Sequence, residues 1–158
     1  MRTVPVLHVI NGEHYSGAER VQDLLASQLP ACGYAVGFAC LKPGKFPTAR
    51  CYQEAPVHLA AMRSRFDLRV IGQLSRIIRT GKYELVHAHT PRSALVSRLA
   101  AACLRIPMVY HVHSPTLRDT THAWRNRVNQ WTERAGLLGI PAMITVSESL
   151  RQHMLSLG

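Results

Sequence analysis

Residues 85–115 read LVHAHTPRSALVSRLAAACLRIPMVYHVHSP, and this stretch decides the fold. Two short β-type runs, 85–89 and 108–113, flank a helical pattern over 93–104. Strands joined by one helix at this separation are parallel neighbours in a sheet, linked by a right-handed crossover. Each run ends in an H-x-H pair, His87 with His89 and His111 with His113. Alternation along a strand puts both histidines of a pair on one face. Open parallel sheets bind ligands outside the carboxyl ends of their strands, near the point where strand order reverses. Four imidazoles are therefore expected at the edge of the sheet that carries chemistry.

The alternation of strand and helix extends in both directions from this unit. Val4–Ile10 is an apolar run suited to a first buried strand, with Pro5 tolerable near its start. A loop over 11–17 holds two glycines, and residues 18–29 follow with helical spacing. Val21, Leu24, Leu25 and Leu29 form the expected inner face of that helix. Ser16 is placed to cap it, Glu19 lies in its first turn, and Pro30 and Gly33 end it. Residues 34–41 read as a second strand, 42–50 as a loop and Val57–Leu59 as a short third strand. Asp67 is expected to cap a helix with Val70, Ile71, Leu74, Ile77 and Ile78 inward and Arg69, Arg76 and Arg79 outward, stopped by Gly81. Beyond Pro115, a Thr- and Arg-rich loop leads to a helix over 123–138, a sixth strand over 142–146 and a last helix capped by Ser147. The order predicts one α/β domain over residues 1–158, a Rossmann-like doubly wound parallel sheet.

A chain of 158 residues with 47% apolar content can bury one proper core. No apolar run approaches the roughly 20 residues of a spanning helix, and Val4–Ile10 lacks signal-peptide flanks, so a cytoplasmic location is expected. Cys32, Cys40, Cys51 and Cys103 show no C-x-x-C spacing and read as reduced thiols. The charge balance is basic: 19 Lys+Arg against 9 Asp+Glu give a formal +10, and sixteen of the cations are arginine. Arginine suits bidentate contact with phosphate, so nucleotide-linked substrates and anionic lipid head groups fit as partners. A solvated excess spread along the chain accounts for the same charge. Nucleic acid fits poorly, because aromatics are 6% of the residues and no recognition motif is present.

The loop over 11–17 joins the first strand to the first helix, where glycine permits close approach and a helix N-terminus favours an anion. It is not G-x-G-x-x-G, which weakens a nicotinamide-dinucleotide reading. The paired H-x-H motifs have the residue type for a metal, but no Asp or Glu ends either strand and the first acid after them is Asp119. No metal-ligand set is assigned, and a His-rich metal hydrolase is the least favoured function. His87 and His111 are expected to be hydrogen-bonded and partly buried, whereas His89 and His113, last in their runs, are placed to meet ligand. Trp124, Val128, Trp131, Ala135 and Leu138 form a stripe on the helix over 123–138, read as core rather than as a membrane-facing side.

Taken in order, Val9-Ile10, Ser16-Gly17-Ala18-Glu19-Arg20-Val21, Leu85 to His89, Val109 to His113 and Ile144-Thr145-Val146-Ser147-Glu148 resemble the N-terminal domain of family 4 glycosyltransferases. The resemblance covers nearly the whole chain. It implies one half of a GT-B fold, in which two Rossmann-like domains face each other across a cleft. The N-terminal half mainly binds the acceptor, and the C-terminal half holds the nucleotide-sugar donor. The implied chemistry is retaining transfer of a sugar from a nucleotide-diphosphate donor to a hydroxyl acceptor, without an obligatory metal and with no cofactor.

Carried over by position, Ser16 and Gly17 match the loop that approaches the donor phosphates and the transferred sugar. Ser16 departs from the family's usual Gly-Gly. His113 matches the histidine expected to hydrogen-bond the transferred sugar, His89 the one near the acceptor, and Ser147 the residue opening the last helix. His14, Arg92 and Arg118 are further candidates for acceptor contact, the two arginines from position alone. No two glutamates stand eight residues apart, so the family's E-x7-E donor motif is not in residues 1–158. The chain is accordingly expected to be the acceptor-side half without its C-terminal donor domain, and to be inactive alone. Envelope or polysaccharide assembly is the expected setting. A lipid-linked acceptor and peripheral contact of the basic surface around 63–82 with an anionic inner membrane face belong to that reading. The alternative is a non-catalytic nucleotide- or partner-binding module of the same fold.

Overall fold

Short runs rich in Val, Ile, Phe and Tyr, separated by amphipathic or small-residue helices, have one economical solution: strands paired side by side with helices on both faces. The computed structural model takes that form and describes residues 2–64, 67–113 and 140–157. Strands β1 (Val4–Ile10), β2 (Tyr34–Cys40), β3 (Val57–Leu59), β4 (Leu85–Ala88), β5 (Met108–Val112) and β6 (Ala142–Thr145) form one sheet. Their order is β3-β2-β1-β4-β5-β6, and every pairing is parallel. This is the doubly wound order, with its reversal between β1 and β4. Pro5 is accommodated because pairing with β4 begins only at Val6, opposite Leu85, while the Pro5 carbonyl accepts from Glu84 N–H.

Helices α1 (Gly17–Gln28), α2 (Phe46–Ala49), α3 (Arg69–Thr80), α4 (Pro91–Leu104) and α5 (Glu148–Leu157) complete the described elements, with a 3-10 turn at Leu29–Cys32. One face of the sheet is aliphatic. Leu7, Val9, Val86, Ala88, Tyr110 and Val112 pack there with Val70, Leu74 and Ile78 of α3, with the alanines of α4, and with Leu150 and Met154 of α5. On the other face Ile10, Val36, Phe38 and Cys40 pack with Ala26 of α1 and Phe46 of α2.

Several local expectations are corrected. In α1 half of the predicted inner face is turned outward: Val21 and Leu24 are exposed, Leu25 and Leu29 are half-buried, and the helix buries Glu19, Gln22, Asp23 and Ala26. Satisfied polar groups set that rotation. The Asp23 carboxylate accepts from Tyr15 Oη at 2.6 Å, Cys51 N–H at 2.6 Å and Tyr52 N–H at 3.0 Å. Burial opposes ionisation of Asp23, yet these three bonds outweigh it and hold the carboxyl below its usual range. Helix α4 begins at Pro91 rather than Ser93, because Thr90 caps it and proline suits the first helical position. The cap of α3 is Leu68, one residue past Asp67, whose carboxylate still accepts from the Arg63 and Arg69 backbone N–H groups. Arg118, Asp119 and the helix expected over 123–138 lie outside the described residues.

Candidate functional site

The reversal between β1 and β4 opens the crevice at which such sheets bind. On one side stands the loop after β1. Gly12 takes φ +80°, and a Cβ there would sit 2.9 Å from Cys40 Sγ, so both backbone and space demand glycine. The loop is bonded along its length to the loop after β2. Leu41 N–H donates to Ile10 O, Lys42 N–H to Asn11 O, Gly44 and Phe46 N–H to Gly12 O, and Lys45 N–H to Glu13 O. Ser16 opens α1, and the Glu19 carboxylate accepts from the Ser16 hydroxyl at 2.6 Å and its N–H at 3.3 Å. Gly17 is exposed, and a Cβ there would meet nothing within 4 Å. Nothing in the described protein excludes a larger residue at 17, unlike at 12.

On the other side β4 runs into α4. Ser93 fixes that turn: its Oγ accepts from the N–H groups of His89 and Thr90 at 3.1 and 2.9 Å and donates to Thr90 O. The same residue's N–H donates to Thr90 Oγ1, closing a reciprocal cap.

Between these walls lie five imidazoles, not four. His8, in the middle of β1, is opposite His87 of β4 in register and faces the same way. With His89, His111 and His113 they form a cluster whose neighbouring ring centroids are 4.1–5.6 Å apart. His8, His87, His89 and His111 are buried; His113 is half-buried at the mouth. Burial first, then the mutual repulsion of the rings, drives the pKa values of His8 and His89 well below the usual imidazole value. The same causes take His87 to about 3 and His111 to about 4. His113 is lowered by burial, against which the charge of Glu19 acts. The cluster is neutral at pH 7.

Two hydrogen bonds thread it: His8 Nδ1 to His89 Nε2 at 3.1 Å, and His89 Nδ1 to His113 Nε2 at 3.2 Å. A neutral ring has one hydrogen, so the chain must run one way. Running inward it would bury an unpaired His8 Nε2–H. Running outward it leaves only a bare lone pair on that atom, which has no partner among the described residues in either case. The outward direction is favoured, with His8 donating to His89, His89 to His113, and His113 carrying its hydrogen on Nδ1.

Of the residues expected at the site, the structure gathers Ser16, Gly17, His89 and His113 about the reversal point. His89 is not open to ligand: it is 2% exposed with both ring nitrogens engaged, and it lies beneath His113. His87 and His111 are buried as expected but not hydrogen-bonded as expected, because His87 Nε2 and His111 Nδ1 lack partners among the described residues. His14 is exposed on the first loop, and Arg92 is half-buried in the first turn of α4. Ser147 caps α5 through Oγ, which accepts from Leu150 N–H at 3.2 Å. The sequence reading missed three contributors. In the sequence His8 is only a polar break in an apolar run, Glu19 supplies the acid absent from the strand ends, and Ser93 reads as no more than a helix start.

The sequence profile of Glycosyltransferase Family 4 matches residues 15–158. No protein of curated function matches the sequence. Among solved structures, sucrose-phosphate synthase from Thermosynechococcus elongatus superposes with TM-score 0.71 at 12% identity, covering 97% of this chain and 45% of its own. The lipopolysaccharide outer core galactosyltransferase WaaB, in its apo form, gives TM-score 0.70 at 10% identity, covering 100% and 43%. Anabaena Alr3699/HepE, in complex with UDP and glucose, gives 0.56 at 18%, covering 94% and 50%. At such identities the likeness is one of fold, and the chain spans half or less of these proteins. The sheet is one Rossmann-like half of the GT-B fold, and the chain belongs to glycosyltransferase family 4.

Proposed function

We propose that this chain is the acceptor-side half of a transferase that moves a sugar from a nucleoside-diphosphate donor to a hydroxyl. The observation that carries the reading is the meeting of α1's first turn with His113. Glu19 bonds to Ser16, and its charge reaches the His113 ring, so the open backbone at Gly17 and the outermost imidazole share one edge of the crevice. A neutral ring with its hydrogen on Nδ1 donates to a sugar oxygen without bringing a full charge to the reacting centre. His89 then acts by orienting His113, not by touching acceptor. His14, Arg92, Arg118 and Ser147 stand as acceptor contacts. That Anabaena HepE holds UDP and glucose supports a uridine-linked sugar as the donor class.

In this reading a second Rossmann-like domain supplies the donor phosphates' counter-charge. Transfer proceeds with retention and without an obligatory metal, and residues 1–158 alone do not turn over because half the transition-state environment is elsewhere. Arg63, Arg69, Arg76, Arg79 and Lys82 are exposed, and Asp67 pairs with Arg69. That surface suits an anionic membrane presenting a lipid-linked acceptor at the cytoplasmic face during envelope or polysaccharide assembly. No helix of the described residues is long and apolar enough to cross a membrane. Co-sedimentation with liposomes that ignores anionic lipid content and salt removes the membrane part of the reading.

The test of the transfer itself uses the full-length protein encoded by the gene, a panel of nucleoside-diphosphate sugars and labelled-product detection. His113→Ala is expected to lower kcat by about 100- to 1000-fold, the scale of losing one preorganised donor. Transfer that proceeds equally well in that variant sinks the assignment of His113, and no transfer from any donor sinks the reading.

A further inference from the structure

Five imidazoles in one cluster are more than a sugar contact needs, and three of them keep ring nitrogens that are buried without a partner among the described residues: His8 Nε2, His87 Nε2 and His111 Nδ1. Buried polar atoms are nearly always satisfied, so a group of orphans in one place asks for a ligand. We propose that His89, His111 and His113 form a binding site for a divalent transition-metal ion of the zinc class.

Each of the three rings offers a nitrogen, and these nitrogens lie within 4.8 Å of one another. His89 Nδ1 and His113 Nε2 are 3.2 Å apart. Two nitrogens on a tetrahedral zinc at 2.0–2.1 Å stand about 3.3 Å apart, so an ion can take the place of the hydrogen they share once the two rings turn to aim both lone pairs at it. The third ring, His111, stacks on His113 at 4.2 Å between centroids and 22° from parallel, so it must turn about its Cβ–Cγ bond to aim its unpartnered Nδ1 at the same ion. Neutral imidazole is the form that ligates, and all three are neutral at pH 7.

The surroundings fit as well. On capture, the hydrogen of His89 moves from Nδ1 to Nε2, where His8 Nδ1 accepts it at 3.1 Å, and His8 carries its own on the unpartnered Nε2, a cost that the bonds to the ion must offset. The bond to His8 is the outer hydrogen bond by which ligating histidines are normally oriented, and it releases no proton. Glu19 adds negative charge near His113. His113, half-buried, is the entry side. A second trio, His8, His87 and His89, is wholly buried and shares His89, so it competes with the outer site. All-nitrogen ligation by three neutral rings selects zinc, cobalt, nickel or copper over magnesium or calcium, which take oxygen.

The proposal does not rest on the transferase reading, because its test needs no donor sugar. The chain, without a polyhistidine tag and stripped by chelator, is titrated with Co²⁺ and followed by visible absorption, then back-titrated with Zn²⁺. The expected result is saturable, stoichiometric Co²⁺ binding that zinc displaces. His113→Ala and His111→Ala should each weaken it by about 100-fold or more and His8→Ala by about 10-fold, on the scale of ligand and outer-partner losses. His14→Ala, on the exposed loop, should leave it unchanged. If His111→Ala does not fold by circular dichroism, the half-buried His113 decides: zinc should raise the melting temperature of wild type and not of His113→Ala. Absence of saturable absorption, or binding and stabilisation that persist in His113→Ala, overturns the site.

Discussion

The two faces of the sheet solve the same burial problem with opposite materials. On the side of α3, α4 and α5, Leu7, Val9, Val86, Ala88, Tyr110 and Val112 present an aliphatic surface closed by Leu74, Val70 and small α4 residues. On the reverse side, the same strands β1, β4 and β5 and the residues just past the last two present His8, His87, His89, His111 and His113. The first face stabilises by removing apolar area from water, about 25 cal/mol per Å². The second removes imidazoles from water, and each is held in its neutral form at the expense of its usual basicity. The difference teaches where the fold stores strength and where it stores chemistry, since neighbouring residues of one strand serve the two ends separately.

Acid should break the contrast most severely. The histidine pKa values are lowered in the folded state, from an unfolded value near 6.5 to about 3 for His87 and about 4 for His111. Above pH 6.5 both states are neutral and the full stability is present. Below it the unfolded chain takes up protons that the folded one refuses, so stability falls by about 1.4 kcal/mol per pH unit for each such histidine until the folded pKa is reached. Urea melts between pH 7 and 4.5, with chelator present, should show this steep loss. A flat profile would mean that the rings are hydrated.

Next in size is the aliphatic face. Leu74 is fully buried against the sheet, and Leu74→Ala should cost about 2–5 kcal/mol at pH 7, with little change in the acid slope. The matching change on the other face sharpens the comparison. His87→Leu fills similar space and removes an unpartnered nitrogen, so it should alter stability at pH 7 by no more than about 1 kcal/mol while removing one proton from the acid slope. A loss of several kcal/mol would show that His87 has a partner that matters. Smallest is Gly17→Ala, where a Cβ meets nothing and alanine favours the helix. Stability should shift by under about 1 kcal/mol, while transfer by the full-length protein falls if a ligand approaches that backbone.

Much of the architecture was legible in the sequence because it rests on periodicity. The βαβ unit over 85–113, the succession of strands and helices and the Ser147 cap follow from alternation and capping chemistry that are local. What escaped depends on partners far along the chain. The rotation of α1 is set by Asp23 receiving Cys51 and Tyr52 N–H groups, and no pattern inside residues 17–28 announces that. His8 joins the cluster through register with His87, 79 residues away in sequence, which is visible only once β1 and β4 are known neighbours. His89 looked exposed because it ends its strand, and is covered because His113 of the next strand lies over it.

The seam between the loops after β1 and β2 has a consequence for time as well as shape. Five backbone amides of an apparent surface loop, on Leu41, Lys42, Gly44, Lys45 and Phe46, are bonded across it. They should therefore exchange their hydrogens at the pace of the sheet rather than of a loop. A crevice wall locked in this way holds one shape before any ligand arrives, so a ligand that meets it would not have to stop a moving chain first.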